Sequence, residues 1–214
     1  MKIGILGTGV VGQMLGAGFA KKGHEVKMGS RDAANEKLRE FVMKAGPKAS
    51  SGTFAEAAAF GDVIVLATLW SGTENALRLA GAKHCAGKVV MDATNPLVFA
   101  PNAPPALERG WSDSAGEQVQ RWLPDAKVVK VYNTVGSAHM VDPQFPGGPP
   151  DMFICGNDES AKSTVTKICA DFGWPTIDLG GIEGSRLLEP LCIVWVLHAT
   201  RLGSWNHAFK MLHK

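Results

Sequence analysis

The sequence predicts an α/β fold, a doubly wound and mostly parallel sheet followed by a small C-terminal α/β lobe that ends in helices. Three observations carry this. Strand-like and helix-like segments alternate from the first residues to about Tyr132, the order that yields parallel strands joined by crossover helices. Asp62 to Thr68 reads DVIVLAT, with an unbroken apolar middle, as a strand covered on both faces requires. A glycine-rich turn falls directly between the first apolar run and the first helical stretch.

Taken in order, Lys2 to Leu6 is the first predicted strand and Val10 to Lys22 the first helix, stopped by Gly23. Glu25 to Met28 is a second strand, and Ala34 to Lys44 a helix with a polar face. Phe54 to Phe60 is a short helix, followed by the apolar strand. Glu74 to Leu79 is helical, Lys88 to Ala93 is a strand, and the proline-rich stretch from Thr94 to Gly110 is a long loop. Ser112 or Ser114 caps a helix that runs to Leu123. Lys127 to Tyr132 is a strand, and Val141 to Pro150 a second loop. Then come a strand over Met152 to Cys155, a helix over Glu159 to Phe172 and a strand over Thr176 to Leu179. Glu183 to Leu212 is helical in character, with breaks near Pro190 and Gly203. The expected division is a dinucleotide-binding domain over 1–136 and a lobe over 137–214.

Composition narrows the function. A net charge of +2 with no basic run leaves no footprint for nucleic acid. The apolar start is too short for a signal peptide, and the longest later apolar stretch is interrupted by Glu189 and Pro190, so no membrane span is expected. Cys85, Cys155, Cys169 and Cys192 are scattered without a CxxC pair, which fits reduced, buried thiols in a cytoplasmic protein.

The chemistry begins at Gly7-Thr8-Gly9-Val10-Val11-Gly12, a GxGxxG turn between strand and helix. Gly7 permits the tight turn, Gly9 lets backbone approach a pyrophosphate, and Gly12 lets the helix lie close to the sheet. The free N–H groups and positive end of the helix then meet the phosphates. This is the dinucleotide turn of the Rossmann fold.

The second strand bears on which nucleotide binds. An NAD site carries an acid about 20 residues on, for the ribose hydroxyls. Here the strand runs into Met28-Gly29-Ser30-Arg31-Asp32. A hydroxyl from Ser30 and a bidentate guanidinium from Arg31 suit a 2′-phosphate, so NADP(H) is expected. Two other roles stay open for Asp32: the ribose acid of an NAD site, or the cap of the next helix.

Three further strand ends face the same crevice: Thr68-Leu69-Trp70, Asn95-Pro96 and Gly136-Ser137. Small and amide-bearing residues there suit a flat ring and its carboxamide. His139 lies just past the third end. His198, His207 and His213 lie on the C-terminal segment without metal-ligand spacing, so no metal is expected. No catalytic acid or base stands out. Hydride transfer between two bound rings needs none, whereas a hydroxy-acid dehydrogenase would. A non-catalytic NADPH sensor is the competing class, and a second ring-sized cleft would separate the two.

Together the segments GTGVVG, GSRD, KVVKVYNTVGS, MFICGNDESAK and GSRLLEPL resemble the NADP oxidoreductases dependent on coenzyme F420, a deazaflavin. The cytoplasmic domain of the six-transmembrane metalloreductases is similar too. The resemblance runs from Lys2 to Leu212. It implies direct hydride transfer between NADP(H) and coenzyme F420, with a flavin, a quinone or another small electron acceptor as the alternatives. It also implies nucleotide contacts from Thr8 to Gly12, at Ser30 and Arg31, and at Leu69-Trp70, Asn95-Pro96 and Gly136-Ser137. Asp32 and Asn35 stand where that family often has basic residues, and Leu69 where it has proline.

The run from Leu187 to Leu197 is apolar on nearly every face. A homodimer covering it, with Trp195 in the contact, is the expected assembly.

Overall fold

Strand β1 (Lys2–Leu6) is buried from Ile3 onward, and its neighbours on both sides are parallel to it. That burial is what its unbroken apolar run demands. The computed structural model describes residues 1–101, 103–212 and 214. His213 lies outside them.

Helix α1 (Val10–Lys21) leads to β2 (Glu25–Ser30), α2 (Glu36–Ala45), β3 (Ala49–Thr53) and α3 (Phe54–Phe60). Next come β4 (Val63–Leu66), α4 (Trp70–Ala80), the single turn α5 (Ala82–Cys85) and β5 (Val89–Asp92). A short hairpin, β6 (Leu97–Val98) with β7 (Ala106–Leu107), interrupts the long loop and precedes α6 (Ala115–Trp122) and β8 (Lys127–Lys130). The chain closes with β9 (Met152–Gly156), α7 (Glu159–Asp171), β10 (Thr176–Asp178) and α8 (Ser185–Leu202).

One sheet holds eight strands in the order β10-β9-β8-β5-β4-β1-β2-β3. The pairs are parallel from β3 to β8, β9 runs antiparallel to β8, and β10 is parallel to β9. The run β3-β2-β1-β4-β5-β8 is the dinucleotide-binding order, and it reverses between β1 and β4, where ligands of such sheets lie. Residues beyond 136 extend this same sheet through β9 and β10.

Two apolar clusters cover the faces. One holds Leu15, Phe19, Phe41, Phe172 and Trp174, beneath α1, α2 and α7. The other holds Phe54, Trp70, Leu77 and Val119, beneath α3, α4 and α6.

The structure differs from the sequence reading at five local points. Strand β3 reads ASSGT, so no apolar pattern announced it; pairing with β2 makes it a strand. Helix α2 begins at Glu36, capped by the Asn35 side chain, which accepts from Lys37 N at 3.0 Å. Asp32 is not its cap: it accepts from Ala34 N at 2.8 Å and closes a turn before the helix. Helix α8 passes through Pro190 without breaking and stops at Gly203, in the left-handed conformation. The residues after it, through Leu212, are not helical, because bonds to other segments replace the helix ladder. Asp151 N donates to Phe209 O, and Met211 N donates to the Asp151 carboxylate.

Candidate functional site

The turn after β1 has the geometry its glycines predict. Gly7 sits at φ +128°, and a Cβ there would collide with the Ala67 carbonyl just past the end of β4. A Cβ on Gly12 would strike the Gly7 carbonyl. Over Gly9 there is only open space. Gly9 is the residue before α1, and no side chain caps the helix, so the first N–H groups of α1 face that space unpartnered. The Gln13 amide donates to Thr8 O at 3.1 Å and ties the turn to the helix. Val10 is exposed, and Thr8 and Val11 are half-buried. An anion-sized gap bounded by free backbone donors is what a pyrophosphate needs.

At the end of β2, Ser30 is buried at 7% exposure, and Arg31 beside it is exposed. The Asn35 amide donates to Ser30 Oγ at 3.3 Å. With its lone pair engaged there, the Ser30 hydroxyl keeps its proton for another acceptor. A 2′-phosphate is such an acceptor, and Arg31 supplies the charge.

Across the switch point, the ends of β4, β5 and β8 form the other half of the crevice. After β4, Leu69 is 84% exposed, and Thr68 Oγ1 shares a 2.8 Å bond with Thr73 Oγ1 inside the first turn of α4. Trp70 turns its ring away, onto Trp122, with centroids 5.5 Å apart. After β5, Pro96 is buried, and the Asn95 amide donates to Asn133 O at 2.9 Å. The Asn133 amide returns a bond to Asn95 Oδ1 at 3.2 Å and makes another to Leu188 O at 2.8 Å. After β8, Tyr132 takes a left-handed φ of 62° while buried. That conformation is strained for a non-glycine residue, and it swings Asn133 to Gly136 out of the sheet.

Beneath these ends lies a charged cluster that motif reading did not find. Lys130 is fully buried, and its ammonium lies 2.8 Å from Asp92 Oδ2 and 3.0 Å from Glu189 Oε1. Asp92 is fully buried and Glu189 is 1% exposed. Lys130 also donates to Thr94 O at 2.9 Å. Asp92 Oδ1 accepts from Thr94 N and Thr94 Oγ1. Glu189 accepts from Ala115 N and Gly116 N, both at 3.0 Å, at the N-terminus of α6. Burial alone would lower the Lys130 pKa; the two carboxylates outweigh it and hold the ammonium above its ordinary value. No spacing rule links positions 92, 130 and 189. The signals were single charges inside apolar strands and an apolar helix, where a charge needs a partner.

The C-terminal tail closes the β8 end. A Cβ on Gly136 would lie 3.3 Å from the Trp195 ring and 3.4 Å from Trp205 O. Ser137 opens a 3-10 turn that ends at His139. His139 shares a 3.0 Å bond with Asn206 and packs on Phe145, with ring centroids 4.8 Å apart. Phe145 and Asn206 in turn line a cavity of about 290 Å³ between the loop before β9 and the tail. Trp195 is 6% exposed, stacked on His207, and donates its indole N–H to His207 O at 3.0 Å. It is packed by its own chain. The exposed apolar residues of α8 are Leu187, Val194 and Leu202.

All four cysteines are free and buried. Burial pushes the Cys169 and Cys192 thiols up to about 12. Among the described residues, no helix is long and apolar enough to cross a membrane.

The family profile described as NADP oxidoreductase, coenzyme F420-dependent, matches residues 2–96. The F420-dependent NADP reductase of Methanocaldococcus jannaschii is 32% identical over 201 residues, 89% of each chain. The chain belongs to the F420-dependent NADP oxidoreductase family. It is therefore related to oxidoreductases along nearly its whole length. A crystal structure from Arthrobacter sp. FB24, provisionally described as an F420-dependent NADP reductase, superposes with a TM-score of 0.92 at 38% identity and covers 100% of both chains. Rat metalloreductase STEAP3 is 26% identical over 89% of this chain, which is 36% of that larger protein.

Proposed function

We propose that the protein transfers a hydride between NADP(H) and a deazaflavin of the coenzyme F420 type. The observation that carries this is the pairing of two features: an open, donor-lined turn over Gly9 and a serine–arginine pair at the end of β2. The named activities of relatives matching nearly the full chain support the acceptor. The cleft beside His139 supports a second ring, which a nucleotide sensor does not require.

The reduced nicotinamide, when bound, supplies two electrons as a hydride to the acceptor ring, which also takes one proton from solvent. The chain's own part is to bind and align. The N-terminus of α1 takes the pyrophosphate, and Ser30 and Arg31 take the 2′-phosphate. The ends of β4, β5 and β8 hold the nicotinamide riboside, and the tail over Gly136 walls off the acceptor side. No residue is assigned a proton-transfer role.

Stopped-flow oxidation of NADPH against coenzyme F420, FMN, FAD and a quinone tests the acceptor. Fast single-turnover oxidation by the deazaflavin is expected. Oxidation by FMN or FAD alone would replace it with a flavin.

The reading extends to a cytoplasmic homodimer joined through the Leu187 and Val194 side of α8, which are 66% and 55% exposed. Light scattering at micromolar concentration should give twice the mass of one chain; a single-chain mass ends the dimer.

A further inference from the structure

Three full charges buried together are costly to keep, since each ion pays a desolvation penalty of several kcal/mol. Replacing such a cluster by apolar residues is often neutral or stabilising. Its presence under Asp92, Lys130 and Glu189 calls for something that apolar packing could not do.

The peptide it grips supplies that. Lys130 pulls the Thr94 carbonyl inward at 2.9 Å, and Asp92 holds both Thr94 N and its hydroxyl. The Thr94–Asn95 peptide is trans. In a trans peptide the carbonyl and the following N–H point in opposite directions. With the carbonyl drawn onto the buried ammonium, Asn95 N–H is turned the other way, toward the crevice rimmed by the strand ends. Among the described residues this N–H has no intramolecular acceptor. The Asn95 side chain is tied to Asn133 through its amide and its oxygen, which fixes the residue beside that backbone N–H. The cluster reaches α8 through Glu189, and one residue earlier the Leu188 carbonyl accepts a separate bond from Asn133.

We propose that Lys130, held by Asp92 and Glu189, is a positioning residue that fixes Asn95 N–H as a hydrogen-bond donor to an oxygen of the nicotinamide riboside. This rests on the NADP(H) reading above. Asn95 follows β5, on the far side of the switch point from the Ser30–Arg31 end, so the donor serves the nicotinamide half of the nucleotide and not its adenosine half.

The test compares two ligands. NADPH carries the nicotinamide riboside, whereas adenosine 2′-phosphate 5′-diphosphate carries the rest of the adenosine half without it. The neutral variant Asp92→Asn/Lys130→Met/Glu189→Gln removes the charges together, so none is left unpaired. Its circular dichroism should match wild type. Its NADPH Kd should rise about tenfold or more, and its Kd for the fragment should stay within about twofold. A general structural role would weaken both ligands alike, and that result, or no change for NADPH, overturns the proposal. Should the variant fail to fold, the wild-type protein decides. Its Asn95 amide proton resonance should shift on NADPH titration and stay in place with the fragment. An unmoved resonance, or equal shifts with both ligands, overturns it. Wild-type protein that binds neither ligand refutes the NADP(H) reading itself, a distinct result.

Discussion

The two halves of the crevice are built on opposite principles. Around Gly9 and Ser30 the site is backbone and side chains set by residues close in sequence, with open space over Gly9 and Arg31 exposed beside the buried Ser30. Around Asn95 and Gly136 the loops are held from beneath by charges from three distant positions, all buried. The first half is a local device: its glycines act where they stand. The second is a long-range device: each buried carboxylate is tolerable because Lys130 lies against it, and Lys130 because the carboxylates do. A local device predicts binding defects without folding defects. A long-range one predicts folding defects for single substitutions.

The sharpest way to break this comparison is Lys130→Met. It leaves two carboxylates facing each other in the core, and loss of one member of a buried ion cluster costs about 3–5 kcal/mol. Denaturant unfolding should show that drop. A loss below about 1 kcal/mol would mean the cluster is well hydrated and the contrast false.

Gly9→Val probes the other half. A branched side chain fills the space meant for the pyrophosphate, while nothing within 4 Å of the new Cβ has to move. Both NADPH and NADH affinity should fall by about 3 kcal/mol or roughly a hundredfold, with the melting curve nearly unchanged. Unaltered nucleotide titration in this folded variant would move the phosphates elsewhere.

Arg31→Ala separates the nucleotides. Losing a charge-assisted bond to the 2′-phosphate should cost NADPH about 1.5–3 kcal/mol and leave NADH almost untouched. Equal losses in a fluorescence titration would return Arg31 to solvent and reopen a ribose role for Asp32. The smallest effect is that of Asn35→Ala, which removes the cap of α2 for about 1 kcal/mol of stability. It also frees the Ser30 hydroxyl from Asn35, so NADPH affinity should weaken slightly; tighter binding would contradict that pairing.

What the sequence disclosed follows the same division. The glycine turn, the serine–arginine step and the order of the sheet rest on short-range patterns, and each was legible. Strand β3 was not, because ASSGT carries no apolar period and is a strand only by virtue of β2 beside it. Asp32 and Asn35 offer the same capping chemistry three residues apart, and only the turn at Ala34 decides between them. The Asp92–Lys130–Glu189 cluster is visible in one dimension only as three charges out of place. The run from Leu187 to Leu197 looked apolar all round, yet its own chain covers Leu188, Cys192, Trp195 and Val196. The tail that packs on Trp195 lies after Gly203, in a stretch whose sequence reads as helical.

Both halves of the crevice serve one claim, that a hydride passes directly from NADPH to a deazaflavin. Isotope transfer tests it most directly. The protein is mixed with oxidised coenzyme F420 and NADPH fully deuterated at C4 of the nicotinamide, and the reduced deazaflavin is weighed by mass spectrometry. One deuterium per reduced molecule is the predicted result. An unlabelled product, or NADPH bound and left unoxidised, would contradict the account.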